Sequence, residues 1–487
     1  MRFGRSPRPD GLRLGTYTTG WRRHPLSISP TQALTHMHCI GASGSGKSRF
    51  LAALYLNFLH NGVPATIIDP HGDLARLILA YLVAGGAYNT HTAFERVLYL
   101  DFPAAERAGR FLPFNVLKGQ GTPHTVATNV KEAFQRAWPQ LAGGQAPMFE
   151  VLVQDGVKVL ISNDLPVTAL YRLLTDKHFR DGLLARESDP DIVAFFQDQY
   201  DRLSERDRAD QAGAALRRAH LLTFSPVLKY SLGQADNTLA FRDLLDANRS
   251  LIVNLSLGDA DSRRLLGCLL SVGLEQAALS RADTPPETRG GPHMLMLDEF
   301  SEFSAQSEDA LSRMLSLTRK YGLYAVMAHQ SWSQASDRLK GGLQNVGIEV
   351  AFRLGRADAE YSATVLGRVD PLRVKHQVVD ERAAERGHPV FYTLPEQWER
   401  WVQAIQDLRP REAFVRLPDG VVQQFTTIAV PDPPVDAERL AAVEAQYLET
   451  CFRPQVEIEA ELAAYRRPPT PAPTRTSRMR PLPDDTP

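Results

Sequence analysis

The sequence predicts an α/β fold with a mostly parallel sheet, interrupted by an all-helical domain. Short apolar runs alternate with amphipathic stretches, which is the order of strands and helices in such folds. Between about residues 118 and 245 the pattern changes, and apolar residues recur three and four positions apart with few strand-like runs. The 487 residues are more than one small domain needs.

The predicted strands of the α/β core are short and continuously apolar. Before the helical region they cover residues 37–40, 64–68 and 97–100, each followed by Gly or Asp. After it they cover residues 250–255, 294–297, 324–328 and 347–354. Continuous apolar runs fit parallel strands that are buried on both faces.

These patterns divide the chain into five predicted segments. They are an N-terminal strand and turn segment (1–35), the first part of the core (36–117), the inserted helical domain (118–245), the second part of the core (246–430), and a C-terminal helix with a tail rich in Pro and Arg (431–487). We expect the tail, from about residue 466, to be disordered because of this composition.

Residues 41–48 read Gly-Ala-Ser-Gly-Ser-Gly-Lys-Ser and match the P-loop pattern G-x-x-x-x-G-K-[ST] in full. An apolar run precedes the loop and a helical run follows it, as the motif requires. Glycines let backbone N–H groups turn towards phosphate oxygens, and the helix N-terminus adds a favourable dipole. Lys47 is predicted to neutralise the β- and γ-phosphates, and Ser48 to ligate Mg²⁺. The residues predicted to bind the nucleotide are Gly41, Ser43, Gly44, Ser45, Gly46, Lys47 and Ser48.

A second acidic element is predicted where the apolar run 294–297 ends in Asp298 and Glu299. Asp298 is the predicted Mg²⁺ residue and Glu299 the predicted general base that polarises the attacking water. The alternative is that the strand simply ends in a solvated charged turn. The complete P-loop favours the catalytic interpretation. The adjacent Glu favours ATP hydrolysis over GTP switching, and no N-K-x-D guanine-recognition segment occurs.

Three further residues are candidates for catalysis. Gln330 follows the run 324–328 and is a predicted γ-phosphate sensor, with a strand-capping Gln as the alternative. Arg319, on the helical run 311–320, and Arg353, in a run that suggests burial, are candidate arginine fingers. Surface salt bridging is the alternative for both arginines. The acids and His71 of residues 69–73 are equally well explained by a polar turn.

Composition excludes several other classes of protein. The formal net charge is -1, so any DNA-binding charge must be local. The three cysteines lie far apart without a CxxC pair, which predicts neither a zinc site nor a disulfide framework. The basic N-terminus lacks an apolar region behind it, and no segment approaches the roughly 20 apolar residues that a membrane span needs. We therefore expect a soluble, cytoplasmic chain with no direct membrane insertion.

The motifs occur in an order that resembles a known family. The P-loop is followed by Ile-Asp-Pro-His-Gly-Asp-Leu (68–74), Pro-Phe-Asn (113–115), the helical insertion, Leu-Asp-Glu-Phe (297–300) and Ala-His-Gln-Ser (328–331). Across about residues 35–430 the chain resembles the conjugative coupling-protein ATPases of type IV secretion, the TraD/TraG kind, within the HerA/FtsK superfamily. The P-loop and the paired acids are generic, whereas the segment 69–73 and the order of parts are more specific.

The resemblance implies a RecA-like ATPase that assembles as a homo-hexameric ring and pumps DNA through a central pore, with ATP and Mg²⁺ as cofactors. It also implies that Arg319, eleven residues before Gln330, acts in trans. Coupling proteins of this kind usually begin with transmembrane helices, which this chain lacks, so a soluble relative is expected, with a possible secretion or DNA-processing partner. Delivery of protein substrates and ATP-controlled assembly of a scaffold are the alternative functions.

Overall fold

The computed structural model describes residues 11–119, 121–141, 146, 148–304, 314–343, 345–379 and 387–465. The expected disordered tail therefore lies outside the described residues. The strands in this part of the chain are β1 (Leu12–Thr19), β2 (Arg22–Ile28), β3 (Met37–Ile40), β4 (Ala65–Asp69), β5 (Val97–Asp101), β6 (Arg110–Phe111), β7 (Ser250–Asn254), β8 (His293–Leu297), β9 (Leu323–His329), β10 (Ile348–Ala351), β11 (Val374–Val379), β12 (Gly387–Phe391), β13 (Glu412–Arg416), β14 (Val422–Thr427) and β15 (Arg453–Pro454).

Eleven of these strands form one sheet in the order β2-β1-β14-β13-β10-β3-β9-β8-β4-β7-β5. All pairings from β10 to β5 are parallel, and β13, β14, β1 and β2 extend the sheet by antiparallel pairing. Strands β11 and β12 pair with each other, as do β6 and β15. The α/β fold with a mostly parallel sheet that the sequence predicts is confirmed.

The central strands are buried at every position. Each residue of β3, β4, β7, β8 and β10 is buried. Successive side chains of a strand point to opposite faces, so both faces of this part of the sheet are covered. This explains why these strands could be recognised as continuous apolar runs rather than alternating ones.

Helices connect and cover the strands of the core. Their bounds are Pro30–Ala33, Lys47–His60, Asp73–Ala84, Thr92–Arg96, Phe102–Arg107, Ala260–Leu279, Ser301–Ser304, Asp337–Leu343, Arg356–Leu366, Leu394–Gln406, Ala437–Cys451 and Gln455–Tyr465. The region between β6 and β7 is helical, with bounds Pro123–Ala137, Phe149–Ser162, Leu170–Thr175, Lys177–Leu184, Pro190–Ala194, Phe195–Tyr200, Glu205–Phe224, Pro226–Leu232 and Phe241–Asp246. The exact domain boundaries stay predictions.

The helical region is joined to the core by a buried ionic contact. Both terminal nitrogens of Arg136 donate to the two carboxylate oxygens of Glu275 at 2.6 Å, and one of them also donates to Glu132 at 2.6 Å. Arg136 lies on the helix Pro123–Ala137, whereas Glu275 lies on the core helix Ala260–Leu279. Bidentate geometry of this kind fixes orientation as well as distance.

The N-terminal segment is part of the main sheet rather than a separate lead-in. Strand β1 pairs with β14 at Gly15 and Thr16, which places a C-terminal strand between the N-terminal hairpin and β13. The sequence prediction did not place β13 and β14. They form a local hairpin with each other, whereas the pairing of β14 with β1 joins parts of the chain about 400 residues apart.

Candidate functional site

The P-loop joins the end of β3 to the start of the helix Lys47–His60. Gly44 and Gly46 have φ angles of +73° and +104°, a region that glycine adopts without strain. The N–H of Ser45 donates to the carbonyl oxygen of Ala42 at 3.1 Å. This loop turns the backbone around the space in front of the helix N-terminus, which is the arrangement that binds phosphate.

Neighbouring strand ends hold the P-loop in place. The N–H of Arg411 donates to the carbonyl oxygen of Ser45 at 2.8 Å, and the N–H of Ala42 donates to that of Arg353 at 3.0 Å. A Cβ on Gly46 would lie 3.1 Å from the Arg411 nitrogen. Arg411 has a φ of +73°, so this close approach is built into an unusual backbone conformation. No pattern in the sequence indicates this contact.

Two acids face the lysine of the P-loop. Strand β8 ends at Leu297, and Asp298 and Glu299 follow directly. The Lys47 Nζ forms ion pairs with Glu299 Oε1 and, at 3.5 Å, with Asp298 Oδ1. Lys47, Asp298 and Glu299 are 6%, 4% and 5% exposed. Buried charges of this kind need partners, and the three side chains supply them to one another.

The electrostatics of the site are set by burial and by a third acid. Burial raises the pKa of Asp298, the nearby Asp69 and Glu299 raise it further, and the Lys47 ammonium opposes the rise. Asp69 is the last residue of β4 and is fully buried. Its carboxylate accepts from the N–H groups of His71 and Ala75, both at 2.9 Å. The site therefore holds more negative than positive side-chain charge, which favours a cation.

Glu299 has a strained backbone. Its φ of +49° is uncommon for a residue other than glycine. The N–H of Glu299 donates to its neighbour Asp298 Oδ1 at 3.2 Å. A residue held in the left-handed region by its surroundings has a fixed side-chain direction, and here that direction is towards Lys47.

The groups surround a cavity of about 420 Å³. It is lined by Ala42, Ser43, Gly44, Gly46, Lys47, Ser48, Arg49, Asp69, His71, Asp73, Leu74, Asp298, Glu299 and Gln330. Of the residues predicted to bind the nucleotide, Gly41 and Ser45 are not part of this lining. Ser45 is 1% exposed and contributes its backbone to the loop. Asp69, His71 and Asp73 line the cavity although the sequence was equally consistent with a polar turn.

A second cavity of about 510 Å³ adjoins the first and shares Ser48, Arg49, Asp73 and Leu74 with it. Its outer wall is the segment 430–435. The Arg49 guanidinium donates to the carbonyl oxygen of Val430 at 3.0 Å and pairs with Asp432 at 2.7 Å. The combined space is large enough to accept more of a nucleotide than its phosphates.

The predicted arginines lie outside the cavity. Arg353 comes two residues after the end of β10 and is exposed, so the expectation that it is buried is wrong. Arg319 is exposed in the short 3-10 helix Thr318–Tyr321, before β9 begins, and part of its predicted helical run lies outside the described residues. Gln330 follows the other end of β9. The seven residues of β9 separate Arg319 from the cavity by about 20 Å.

The donor set fits a metal that is bound together with phosphate. Within the described ranges, no group of three or more His, Cys, Asp or Glu residues could hold a metal ion by itself. Mg²⁺ is commonly bound by one or two carboxylates and completed by phosphate oxygens and water. Ser48 and Asp298 line the same cavity as the phosphate-binding backbone and could supply the protein ligands.

Comparison with known proteins is informative at the level of structure. No family model matches the chain, and no curated protein matches it. The plasmid coupling protein TrwB in complex with ADP and Mg²⁺ has a TM-score of 0.56 and 17% sequence identity, over 90% of this chain and 99% of TrwB. VirB4 of Thermoanaerobacter pseudethanolicus has a TM-score of 0.54 and 12% sequence identity, over 88% of this chain and 99% of VirB4.

The chain shares its fold with the conjugative coupling proteins. An unbound form of the bacterial coupling protein TrwBdeltaN70 also matches, with a TM-score of 0.53 and 16% identity over 83% of this chain and 87% of that one. The resemblance inferred from the order of motifs is thus confirmed for the fold. Among the described residues, no helix has the combination of length and apolarity that crossing a bilayer requires.

Proposed function

We propose that this chain is an ATP-hydrolysing motor that moves DNA as a homo-hexameric ring, with ATP and Mg²⁺ as cofactors. The observation that carries the proposal is the contact of the buried P-loop Lys47 with the buried acids Asp298 and Glu299. This places a phosphate-binding cation and two acids around one point, as hydrolysis of a nucleoside triphosphate requires. The shared fold with coupling proteins supports it.

Each side chain of the cavity has a proposed role. The backbone of Ser43 to Lys47 binds the β- and γ-phosphates, and Ser48 and Asp298 hold Mg²⁺. Glu299 accepts the proton of the attacking water, and Gln330 senses the γ-phosphate. Adenosine extends into the adjoining cavity beside Arg49.

The ion pair between Lys47 and Glu299 has a consequence for this mechanism. A triphosphate that enters the cavity competes with Glu299 for the Lys47 ammonium. Once Lys47 turns to the phosphates, the Glu299 carboxylate is free to polarise water. Binding of ATP therefore generates the general base, because the same lysine cannot neutralise both groups fully.

The position of Arg319 supports action between copies of the chain. It is exposed at the edge of the sheet opposite the cavity, so it cannot reach its own γ-phosphate. A trans-acting finger requires such an outward position on one subunit and an open cavity on the next. Arg353 lies at the same edge as the cavity and is the alternative finger.

The first experiment measures ATP turnover with and without single- and double-stranded DNA, together with particle mass in the same buffer. We expect turnover that DNA stimulates and a mass of six copies. Lys47→Ala should abolish turnover, whereas Lys131→Ala, a substitution in the helical region, should not. Turnover without any response to DNA contradicts the motor proposal.

A mixing experiment tests whether Arg319 acts in trans. Lys47→Ala and Arg319→Ala subunits are each expected to be inactive alone. In an equal mixture, about a quarter of the subunit contacts would combine an intact cavity with an intact arginine, so activity should partly return. Lys47→Ala mixed with Glu299→Gln is the control, since both changes lie in the same cavity. No recovery in the first mixture contradicts the assignment of Arg319.

Two alternative functions keep the nucleotide site. A chain that delivers protein substrates would hydrolyse ATP without the steep salt dependence that DNA stimulation shows. A chain whose ATP controls the assembly of a scaffold would bind ATP tightly with turnover near zero. The buried Glu299 facing Lys47 favours hydrolysis over the scaffold.

A further inference from the structure

A β-hairpin projects from the antiparallel end of the sheet. Strand β1 pairs with β2 along its whole length, from Leu12 to Thr19, but with β14 only at Gly15 and Thr16. Residues 17–24, called the hairpin tip below, therefore have no strand neighbour other than each other. This half of the hairpin diverges from β14, and its side chains are exposed except for the half-buried Tyr17 and His24.

The turn of the hairpin tip carries a fully exposed tryptophan. The two turn residues are Gly20, with a φ of +60°, and Trp21. A positive φ at the first turn position is a requirement of the tightest hairpins, and glycine satisfies it. The second position accepts most residues, so the turn itself does not require Trp. Trp21 is 103% exposed, whereas the other four tryptophans are buried or half-buried.

Aromatic and basic side chains surround Trp21. Tyr17 and His24 are cross-strand partners with ring centroids 5.4 Å apart. Arg22, paired with Thr19, lies two residues from His24 and so on the same face. Arg23 lies on the opposite face. Both arginines are exposed, and neither guanidinium forms an ion pair or hydrogen bond within the described residues.

The charge of the hairpin differs from that of the chain. Residues 12–28 contain three arginines and no Asp or Glu, which gives +3, whereas the whole chain has a formal net charge of -1. An exposed aromatic ring beside two arginines without side-chain partners is complementary to a ligand that combines flat apolar rings with regular negative charge. Unstacked bases on a phosphate backbone have this chemistry.

We propose that the hairpin tip is a contact site for single-stranded nucleic acid. A base stacks on the Trp21 indole, and the Arg22 and Arg23 guanidiniums contact adjacent phosphates. The inference deepens the proposed function, because it rests on nucleic acid being the substrate and names an element that touches it.

The hairpin tip lies far from the nucleotide cavity. Thr427, next to Gly15, is held by Arg411 beside the P-loop. From Gly15, β1 runs away from the edge of the sheet that carries the P-loop. Trp21, six residues later, therefore lies about 20 Å from Gly15. A substitution of Trp21 should therefore leave ATP hydrolysis in the absence of nucleic acid unchanged.

Trp21 is itself a fluorescent probe for this test. The full chain is titrated with an oligothymidylate of about 20 nucleotides at low salt, with tryptophan emission and anisotropy of a labelled oligonucleotide as readouts. Stacking should quench the emission of Trp21, and Trp21→Ala should remove this quenching and weaken binding about 5- to 100-fold. Phe224→Ala, which changes an aromatic that is 75% exposed on the helical region, is the control and should bind as the wild type does.

The arginines have a separate readout. Replacing both Arg22 and Arg23 by Gln should lower the slope of log affinity against log salt by about 1.4, since each single-strand phosphate contact contributes about 0.7. Arg206→Gln, an exposed arginine of the helical region, is the matched control and should leave the slope unchanged.

The outcomes separate this inference from the proposed function. If DNA stimulates turnover but Trp21→Ala binds as the Phe224→Ala control does, the hairpin proposal is wrong and the motor proposal stands. If Trp21 is quenched by the oligonucleotide in a chain without turnover, the hairpin proposal stands and the motor proposal falls. Emission that changes with protein concentration alone, or with anionic vesicles and not with oligonucleotide, overturns the hairpin proposal in favour of self-association or a membrane surface.

Discussion

Replacing Glu299 by Gln should tighten ATP binding while stopping hydrolysis. In the structure, the Glu299 carboxylate pairs with the Lys47 ammonium, and both are nearly fully buried. A triphosphate must displace Glu299 from Lys47 before it can bind. Gln keeps the size of the side chain and removes the charge, so the competition for Lys47 largely disappears.

The size of the effect follows from the charges involved. Two unit charges about 4 Å apart attract by about 4 kcal/mol at an effective dielectric constant near 20. Asp298 remains within 3.5 Å of Lys47 and retains part of this attraction for the lysine. We therefore expect Glu299→Gln to make the free energy of ATP binding more favourable by about 1.4–2.8 kcal/mol. This corresponds to about 10- to 100-fold tighter ATP binding. Loss of the general base should lower turnover about 100- to 10,000-fold.

The assay is calorimetric titration with ATP and Mg²⁺, with turnover measured on the same protein. Glu302→Gln is the matched control, because Glu302 lies three residues further along, pairs with Arg263 at 3.0 Å and does not line the cavity. That variant should bind and hydrolyse ATP as the wild type does. An unchanged or weaker ATP affinity for Glu299→Gln would refute the competition for Lys47, and unchanged turnover would refute the role of general base.

Three further predictions concern stability. Arg136→Ala leaves Glu275 buried without its cation and should lower the free energy of unfolding by about 3–5 kcal/mol, seen as a shift in the urea midpoint. Burial lowers the pKa of His293 to about 3, so the unfolded state alone binds a proton below about pH 6.5 and stability falls as pH decreases. His293→Gln should reduce the loss of unfolding free energy with falling pH by up to about 1.4 kcal/mol per pH unit, measured by unfolding curves from about pH 7.5 to 5. An unchanged slope contradicts this prediction. Gly72→Ala should cost about 1–3 kcal/mol in the same urea assay, since φ is +87° and a Cβ would lie 2.5 Å from Asn254 Oδ1.

Local sequence predicts the parts of this fold that depend on local order. The β3 prediction coincides with the observed strand Met37–Ile40, and the other parallel strands begin or end within a few residues of their predicted positions. Buried parallel strands are uniformly apolar, and the polar groups at their carboxyl ends must meet at one edge of the sheet. The positions of Lys47, Asp298, Glu299 and Gln330 around one cavity follow from that rule.

Contacts between distant segments could not be predicted in this way. The backbone contact between Arg411 and Ser45 joins two loops of opposite ends of the chain. Strands β13 and β14 were not recognised: β13 has only three buried residues in a row, and β14 is mostly half-buried or exposed. The pairing of β14 with β1 depends on residues about 400 positions apart, so no local pattern indicates it. Arg353 was expected to be buried because its neighbours are apolar, but the strand ends at Ala351 and the side chain turns outward.

The interior of the sheet limits where nucleotide-dependent movement can occur. In β3, the strand that leads to the P-loop, His38 Nδ1 lies 2.7 Å from Glu349 Oε1 of β10. Burial lowers the pKa of His38 to about 3 and raises that of Glu349, which favours an uncharged pair that shares one proton. Such a pair, closed off from water between two strands, resists sliding of β3 against β10, because a shift would leave buried polar atoms unsatisfied. We therefore expect ATP binding to leave the register of β3 and β10 unchanged and to move groups outside this pair, such as the acids after β8 and the loop at Arg411.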